Sequence, residues 1–313
     1  MSFISDLFAY KGIENATKDY ASLPILRFVE DNHTRLWTGA DHCKESFNKM
    51  KKFAKFADFG ERPLRDYTSL HLYAFRDYLQ YSDYNTKSGA YGLSASTANN
   101  YISCFGKVFN IATKMDIIDK KPFVEKLPTN SSRKRVFSKE EQVACLEFFK
   151  KSKWPWMGQY LEIALTTGMR KAEILGINQT KDSLPSDYKT FGKLSVGGNY
   201  VVLNATKNSG VREVPLPPRA QKALKALNNK PLDHYKTHVF YEAWRECRRA
   251  VCKIDPEFVF HVSRHTFAST MANKPVNMNL AVLSEILGHR SVQTTKSYVH
   301  GDRDEKMAAM TIA

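Results

Sequence analysis

The chain of 313 residues contains no run of 18 consecutive apolar residues, so no segment reads as a membrane-spanning helix. Its first stretch, MSFISDLFAYKGIEN, carries Asp6 beside only a short apolar run and makes a poor secretion signal. Cysteine is scarce: Cys43, Cys104, Cys145, Cys247 and Cys252 are odd in number and form no Cys-X-X-Cys pair. A disulfide framework is therefore not expected, and a reducing cytoplasm fits. Internal repeats and low-complexity tracts are absent, which argues against a solenoid or a disordered linker protein. Acidic residues are in deficit, with 32 Asp and Glu against 47 Lys and Arg, a formal charge of +15. A field of that sign favours a polyanionic partner. The excess is uneven: residues 1–133 hold 19 basic and 15 acidic side chains, residues 134–313 hold 28 and 17.

What is present divides into two parts. Residues 1–127 read as helical, with a core DNA-binding domain at about 30–125. Phe47, Met50, Phe53 and Ala54 recur at helical spacing within 41–57, with lysines at other positions. A second helix over 68–80 is capped by Thr68 or Ser69 and buries Leu72, Phe75 and Leu79. A third follows Ser94 and Ser96, with Ala98, Ile102, Phe105 and Phe109 on its apolar side. Residues 128–137 read as a basic linker, in which Arg133, Lys134 and Arg135 suit contact with a phosphate backbone. Residues 138–313 form the second domain. It opens on a capping box, Ser138-Lys139-Glu140-Glu141, and has a helix over 157–167 that stops at Gly168. Strands and turns occupy 193–216, including Tyr200–Leu203 and Val211–Val214; helices follow from Pro218 to about 228 and over 238–251. The expected fold class is mainly α with a small β-sheet in the second domain.

Four segments of the second domain stand out. They are Thr166-Thr167-Gly168-Met169-Arg170-Lys171-Ala172-Glu173, Asn204-Ala205-Thr206-Lys207, His261-Val262-Ser263-Arg264-His265, and Leu287-Gly288-His289 followed by Tyr298. In this order and at these intervals they resemble the signature boxes of the tyrosine recombinase, or phage integrase, family. The resemblance spans nearly all of residues 134–300, and more loosely the helical part upstream. It implies catalytic roles for Arg170, Lys207, His261, Arg264, His289 and the nucleophile Tyr298. It also implies a two-domain clamp on double-stranded DNA and a homotetramer on two recombination sites, with accessory DNA-bending proteins as possible partners. The tail, 301–313, would dock on a neighbouring protomer. One departure is Gly176-Ile177-Asn178-Gln179, where the family commonly continues with an aromatic and acidic pattern.

The chemistry follows from the residue types as well. Displacement at a phosphodiester concentrates charge on the non-bridging oxygens, and two guanidiniums, Arg170 and Arg264, suit that charge because each keeps planar donors and never loses its proton. A phenol is a weak nucleophile near neutrality, with a reference pKa of about 10. Tyr298 therefore needs a proton acceptor such as His261, or cations that favour a developing phenolate. The leaving 5′ oxygen needs a proton, which Lys207 is placed to supply; Lys189 and Lys193 compete for that assignment. His289 follows the helix-stopping Gly288 and can hydrogen-bond a phosphate oxygen. Ser291 caps the next short helix, which carries Tyr298. Glu173 is read as orienting Arg170 or His265, and His265 as supporting the site. His300 is read as peripheral. His261 and His265 share the spacing of a zinc pair, yet no ligand set completes it, so neither metal nor cofactor is called for.

The expected function is site-specific recombination through a 3′-phosphotyrosine intermediate, by the integrase of a phage or mobile element. The alternative within the family is a chromosome- or plasmid-dimer-resolving recombinase. A type IB topoisomerase-like enzyme and a non-catalytic DNA-binding protein are the readings from other classes. A metallonuclease would show clustered carboxylates, whereas the boxes hold essentially one, Glu173.

Overall fold

The computed structural model describes residues 20–38, 40–85, 90–129, 135–184, 190–204, 210–253, 255–273, 275–289 and 291–299. The chain divides into two units, Met1–Ser131 and Ser132–Ala313. Among the described residues it is mainly helical, with a three-stranded antiparallel sheet in the second unit and in the first a two-stranded ribbon, β1 (Tyr84–Asn85) and β2 (Ala90–Tyr91).

In the first unit, helices α1 (Ile25–Leu36), α2 (Ala40–Lys55), α3 (Ser69–Asp77) and α4 (Ala95–Lys114) enclose an aromatic core. Phe53 is its hub, with ring centroids 4.6 Å from Phe105 and 5.1 Å from Phe75. Such pairs add about 0.5–1.5 kcal/mol each beyond the area they bury. Thr68 is the N-cap of α3 and Ser94 that of α4, each before the first periodic apolar residue. The helix read over 41–57 ends earlier, at Lys55, because Ala57 and Asp58 adopt positive φ and break it. The helix read over 68–80 gives way after Asp77 to a π turn, Tyr78–Ser82.

The second unit runs α5 (Lys139–Lys151), α6 (Pro155–Thr167), α7 (Lys171–Leu175), β3 (Phe191–Leu194), β4 (Tyr200–Asn204), β5 (Arg212–Pro215), α8 (Pro218–Ala226), α9 (Thr237–Cys252), α10 (Val262–Ala272), α11 (Leu280–Leu287) and α12 (Val292–Lys296). The capping box is complete: Glu141 N–H donates to Ser138 Oγ, and Ser138 N–H to Glu141 Oε2. Phe149, Tyr160, Phe240, Trp244 and Phe258 fill the core between α5, α6 and α9.

Two boundaries shift with consequence. The sheet begins at Phe191, two residues before the region read as strand, because β3 pairs along β4 from Phe191 opposite Asn204. The last strand runs Arg212–Pro215 rather than Val211–Val214. Strand residues alternate faces, so Arg212 and Val214 share one side while Glu213 lies on the other. Val211 is left 70% exposed, and Arg212 and Val214 turn inward.

Candidate active site

The site is assembled where α6, α10 and α11 end or begin. Helix α6 stops at Gly168, whose φ of 65° is left-handed. A Cβ there would lie 2.4 Å from Phe267 and 2.9 Å from Leu287, so glycine is required both by conformation and by the close approach of α10 and α11. The chain then turns into α7 with Arg170 as its N-cap. Helix α11 ends the same way at Gly288, with φ 64°, and presents His289. Ser291 Oγ accepts from Gln293 N–H and starts α12, as expected; Tyr298 lies just beyond that helix rather than on it.

Glu173 is the centre of the charged cluster. It is 2% exposed. Its Oε1 accepts from Arg170 Nη1 at 2.8 Å, and its Oε2 accepts from the Arg170 backbone N–H at 2.7 Å and from Arg212 Nη2 at 2.8 Å. Arg264 Nη1 lies 3.9 Å from Oε2. Burial is the largest influence on this carboxyl and pushes it up, but Arg212, Arg170 and Arg264 together outweigh it and hold the group below the ordinary carboxylate range. Glu173 thus orients Arg170, one of its two expected partners. Its other ion pairs are with Arg212 and, at 3.9 Å, Arg264.

Arg264 is 2% exposed and donates to the carbonyls of Gly168 at 2.7 Å and Leu287 at 2.5 Å. Burial, then the repulsion of Arg170, pulls its guanidinium down to about 9, which leaves it charged at neutral pH. Its Nη2 also lies 3.2 Å from His289 Nε2. An arginine only donates, so Nε2 is the acceptor, and in the neutral ring Nδ1 carries the proton toward Thr295 Oγ1, 2.9 Å away. Burial and the guanidiniums of Arg264 and Arg170 hold His289 down at about 4, so this neutral tautomer is the form present near pH 7.

Tyr298 is half-buried against the small cluster of Phe267, Leu283 and Leu287. Its ring stacks 6.2 Å from His289, at 12° between planes, and lies 5.6 Å from His265. Asn273 Nδ2 donates to its backbone carbonyl at 2.9 Å. Burial raises the phenol above its usual value, while Arg264 and Arg170 act in the opposite direction. His261 stands edge-on to His265 at 5.2 Å and keeps solvent access. Packing around its ring, then the charges of His265, Arg264 and Arg170, bring it down to about 4.

The structure therefore brings together Arg170, Glu173, His261, Arg264, His265, His289 and Tyr298. Lys207, Lys189, Arg133, Lys134, His300 and the tail from 301 lie outside the described residues. Arg135, read as a DNA contact, has its guanidinium on Glu141 and, through Nε, on Asp255 at 2.9 Å. It anchors the start of α5 to the loop before α10. Two members of the site were missed. Thr295 is fully buried beneath His289, and Arg212 is 8% exposed beneath Gly288. The sequence held one signal for Arg212: it stands two residues before the apolar Val214, so any strand through both puts them on one face.

Residues 135–305 match the model of the phage integrase family, and residues 27–130 match that of the phage integrase SAM-like domain. A tyrosine recombinase of Pseudothermotoga lettingae is 25% identical over 286 residues, covering 87% of this chain and 91% of the relative. The shufflon-specific DNA recombinase of Escherichia coli is 24% identical over 246 residues, covering 76% of this chain; the match spans 59% of that protein's length. Among solved structures, the Tn1549 transposon integrase in complex with a circular intermediate DNA shares the fold at a TM-score of 0.67 and 19% identity, covering 93% of this chain and all of that one. XerH recombinase bound to its difH substrate shares it at 0.59 and 18%, covering 95% and 96%. With its second unit matched almost end to end, the chain belongs to the phage integrase family of tyrosine recombinases.

Proposed function

We propose that this protein is a site-specific DNA recombinase that cleaves through Tyr298. The observation that carries the reading is the placement of that phenol beside His289 and His265, within electrostatic reach of Arg264 and Arg170. Tyr298 attacks a backbone phosphate and forms a 3′-phosphotyrosine bond, and a 5′-hydroxyl leaves. A 5′-hydroxyl of the partner strand then attacks the phosphotyrosine and restores the backbone. The bond energy is conserved, so neither nucleotide triphosphate nor divalent metal enters the scheme. Arg170 and Arg264 hold the non-bridging oxygens, where removal of such a contact costs about 10²–10³ in rate. His261 is neutral near pH 7, the state a proton acceptor needs. His265 supports the site, with its ring 5.6 Å from that of Tyr298. Lys207 supplies the proton to the leaving oxygen. His289 turns its Nε2 from Arg264 to the phosphate, which requires that nitrogen to gain a proton.

The helical domain of about 30–125, the linker of 128–137 and the catalytic domain from 138 grip double-stranded DNA together, and protomers assemble as a tetramer on two sites. DNA-bound relatives such as the Tn1549 integrase support that partner. The biological role is integration of a mobile element. The test uses a DNA site selected by the protein from a random pool, placed on two differently labelled duplexes. Integration predicts recombinant products that join strands of the two molecules. Relaxation or nicking of one duplex alone contradicts recombination. Products formed only between direct repeats on one molecule transfer the assignment to dimer resolution.

A further inference from the structure

Arg170, Arg212 and Arg264 share one carboxylate, and its two oxygens are not divided equally. Oε2 of Glu173 already receives the Arg170 backbone N–H and Arg212 Nη2, while Arg264 stays 3.9 Å away and makes its hydrogen bonds to the carbonyls of Gly168 and Leu287. Arg212 is an unlikely tenant of its position by ordinary packing rules. It sits on the inward face of β5, opposite the buried Leu203, where an apolar side chain would leave no donor stranded. Among the described residues, its Nε and Nη1 are buried with no hydrogen-bond partner. Its Nη1 would lie 2.1 Å from a Cβ at Gly288, so the turn that carries His289 is shaped to admit it. A buried cation with orphaned donors is costly, which asks what the charge itself does there.

We propose that Arg212 is a positioning residue for strand cleavage: by occupying Glu173 Oε2 it keeps that carboxylate from closing on Arg264, and so leaves the Arg264 guanidinium available to the scissile phosphate. The inference rests on the recombinase reading above. Among these four described side chains the formal charge is +2, from three arginines and one glutamate. Without Arg212 it is +1, and the freed oxygen faces Arg264 across a gap that a small rotation closes. Arg264 then leaves its two carbonyls and pairs with Glu173, and the phosphate meets a weaker clamp.

The test measures the rate of covalent adduct formation by the full chain on a nicked duplex of the selected site, at saturating DNA, with affinity measured separately. Arg212→Met lowers the rate about 100-fold while affinity stays within about threefold. Glu173→Gln lowers the rate in the wild-type background, but restores at least about tenfold in the Arg212→Met background, because it removes the charge that captures Arg264. A merely structural role gives losses that multiply. If Arg212→Met does not fold, Arg212→Gln, which drops the charge and keeps polar atoms in place, takes its part in the same cycle. Losses that multiply, or an Arg212 variant within about threefold of wild type, overturn the inference alone. Wild type that binds the DNA and forms no adduct overturns the recombinase reading, and this inference with it.

Discussion

At the scale of single residues, the site is a set of side chains fixed by a few hydrogen bonds. Arg264 is fixed by two helix-terminal carbonyls, and His289 by a guanidinium on one side and a hydroxyl on the other. Arg264 settles the tautomer of His289, and Thr295 Oγ1 accepts the Nδ1–H that results. Thr295→Val keeps the shape, removes the hydroxyl and leaves Nδ1–H unpaired, a loss of about 0.5–1.5 kcal/mol in the hydrogen bond. The expected outcome is adduct formation slowed by about threefold to tenfold at unchanged DNA affinity, read from single-turnover kinetics. Most of the residues that gather here were legible in the sequence, because Arg170, Arg264, His289 and Tyr298 stand in short recognisable boxes. Arg212 and Thr295 were not. Each belongs to a segment whose polarity suggests surface, and each is buried only because a partner from a distant box, Glu173 or His289, comes to meet it.

At the scale of elements, two left-handed glycines end the helices that deliver the site. Gly168 and Gly288 each turn the chain so that the next residues, Arg170 and His289, face the same cluster. Gly168→Ala must both hold a positive φ and displace Phe267. It is expected to lower stability by about 2–4 kcal/mol, measured by urea unfolding. Helix starts were read well from Ser94, Ser138 and Ser291, since a hydroxyl before a periodic run satisfies orphan N–H groups whatever the tertiary context. Removing the cap with Ser138→Ala should cost about 1 kcal/mol in the same measurement. Strand edges were read less well. β5 is four residues long, and its register is decided by pairing with β4 and by the buried carboxylate awaiting Arg212, neither of which a short run of mixed residues records.

At the scale of the whole molecule, the division into two units was legible in the composition: a neutral-to-basic helical part, a polar stretch, then a strongly basic part. Acid lability follows from the second unit. Folded His289 titrates at about 4, against a reference of 6.5. Between those values the unfolded chain binds a proton that the folded chain refuses, so the group's contribution is whole above about pH 6.5 and is lost as pH falls toward 4. Glu173, held low by its arginines, adds a further loss at lower pH. Thermal melts should decline from pH 7 to 4.5, and His289→Gln should flatten that decline. No helix among the described residues is long and apolar enough to cross a membrane.

The central claim is that the phenol of Tyr298 becomes bonded to DNA. The direct measurement is mass spectrometry of the peptide carrying the adduct, after trapping the protein on a nicked duplex of its selected site and digesting both components. The account predicts a nucleotide 3′-phosphate on Tyr298, and no adduct with Tyr298→Phe under conditions where that variant still binds. A nucleotide attached to any other residue, or an adduct that survives Tyr298→Phe, would contradict it.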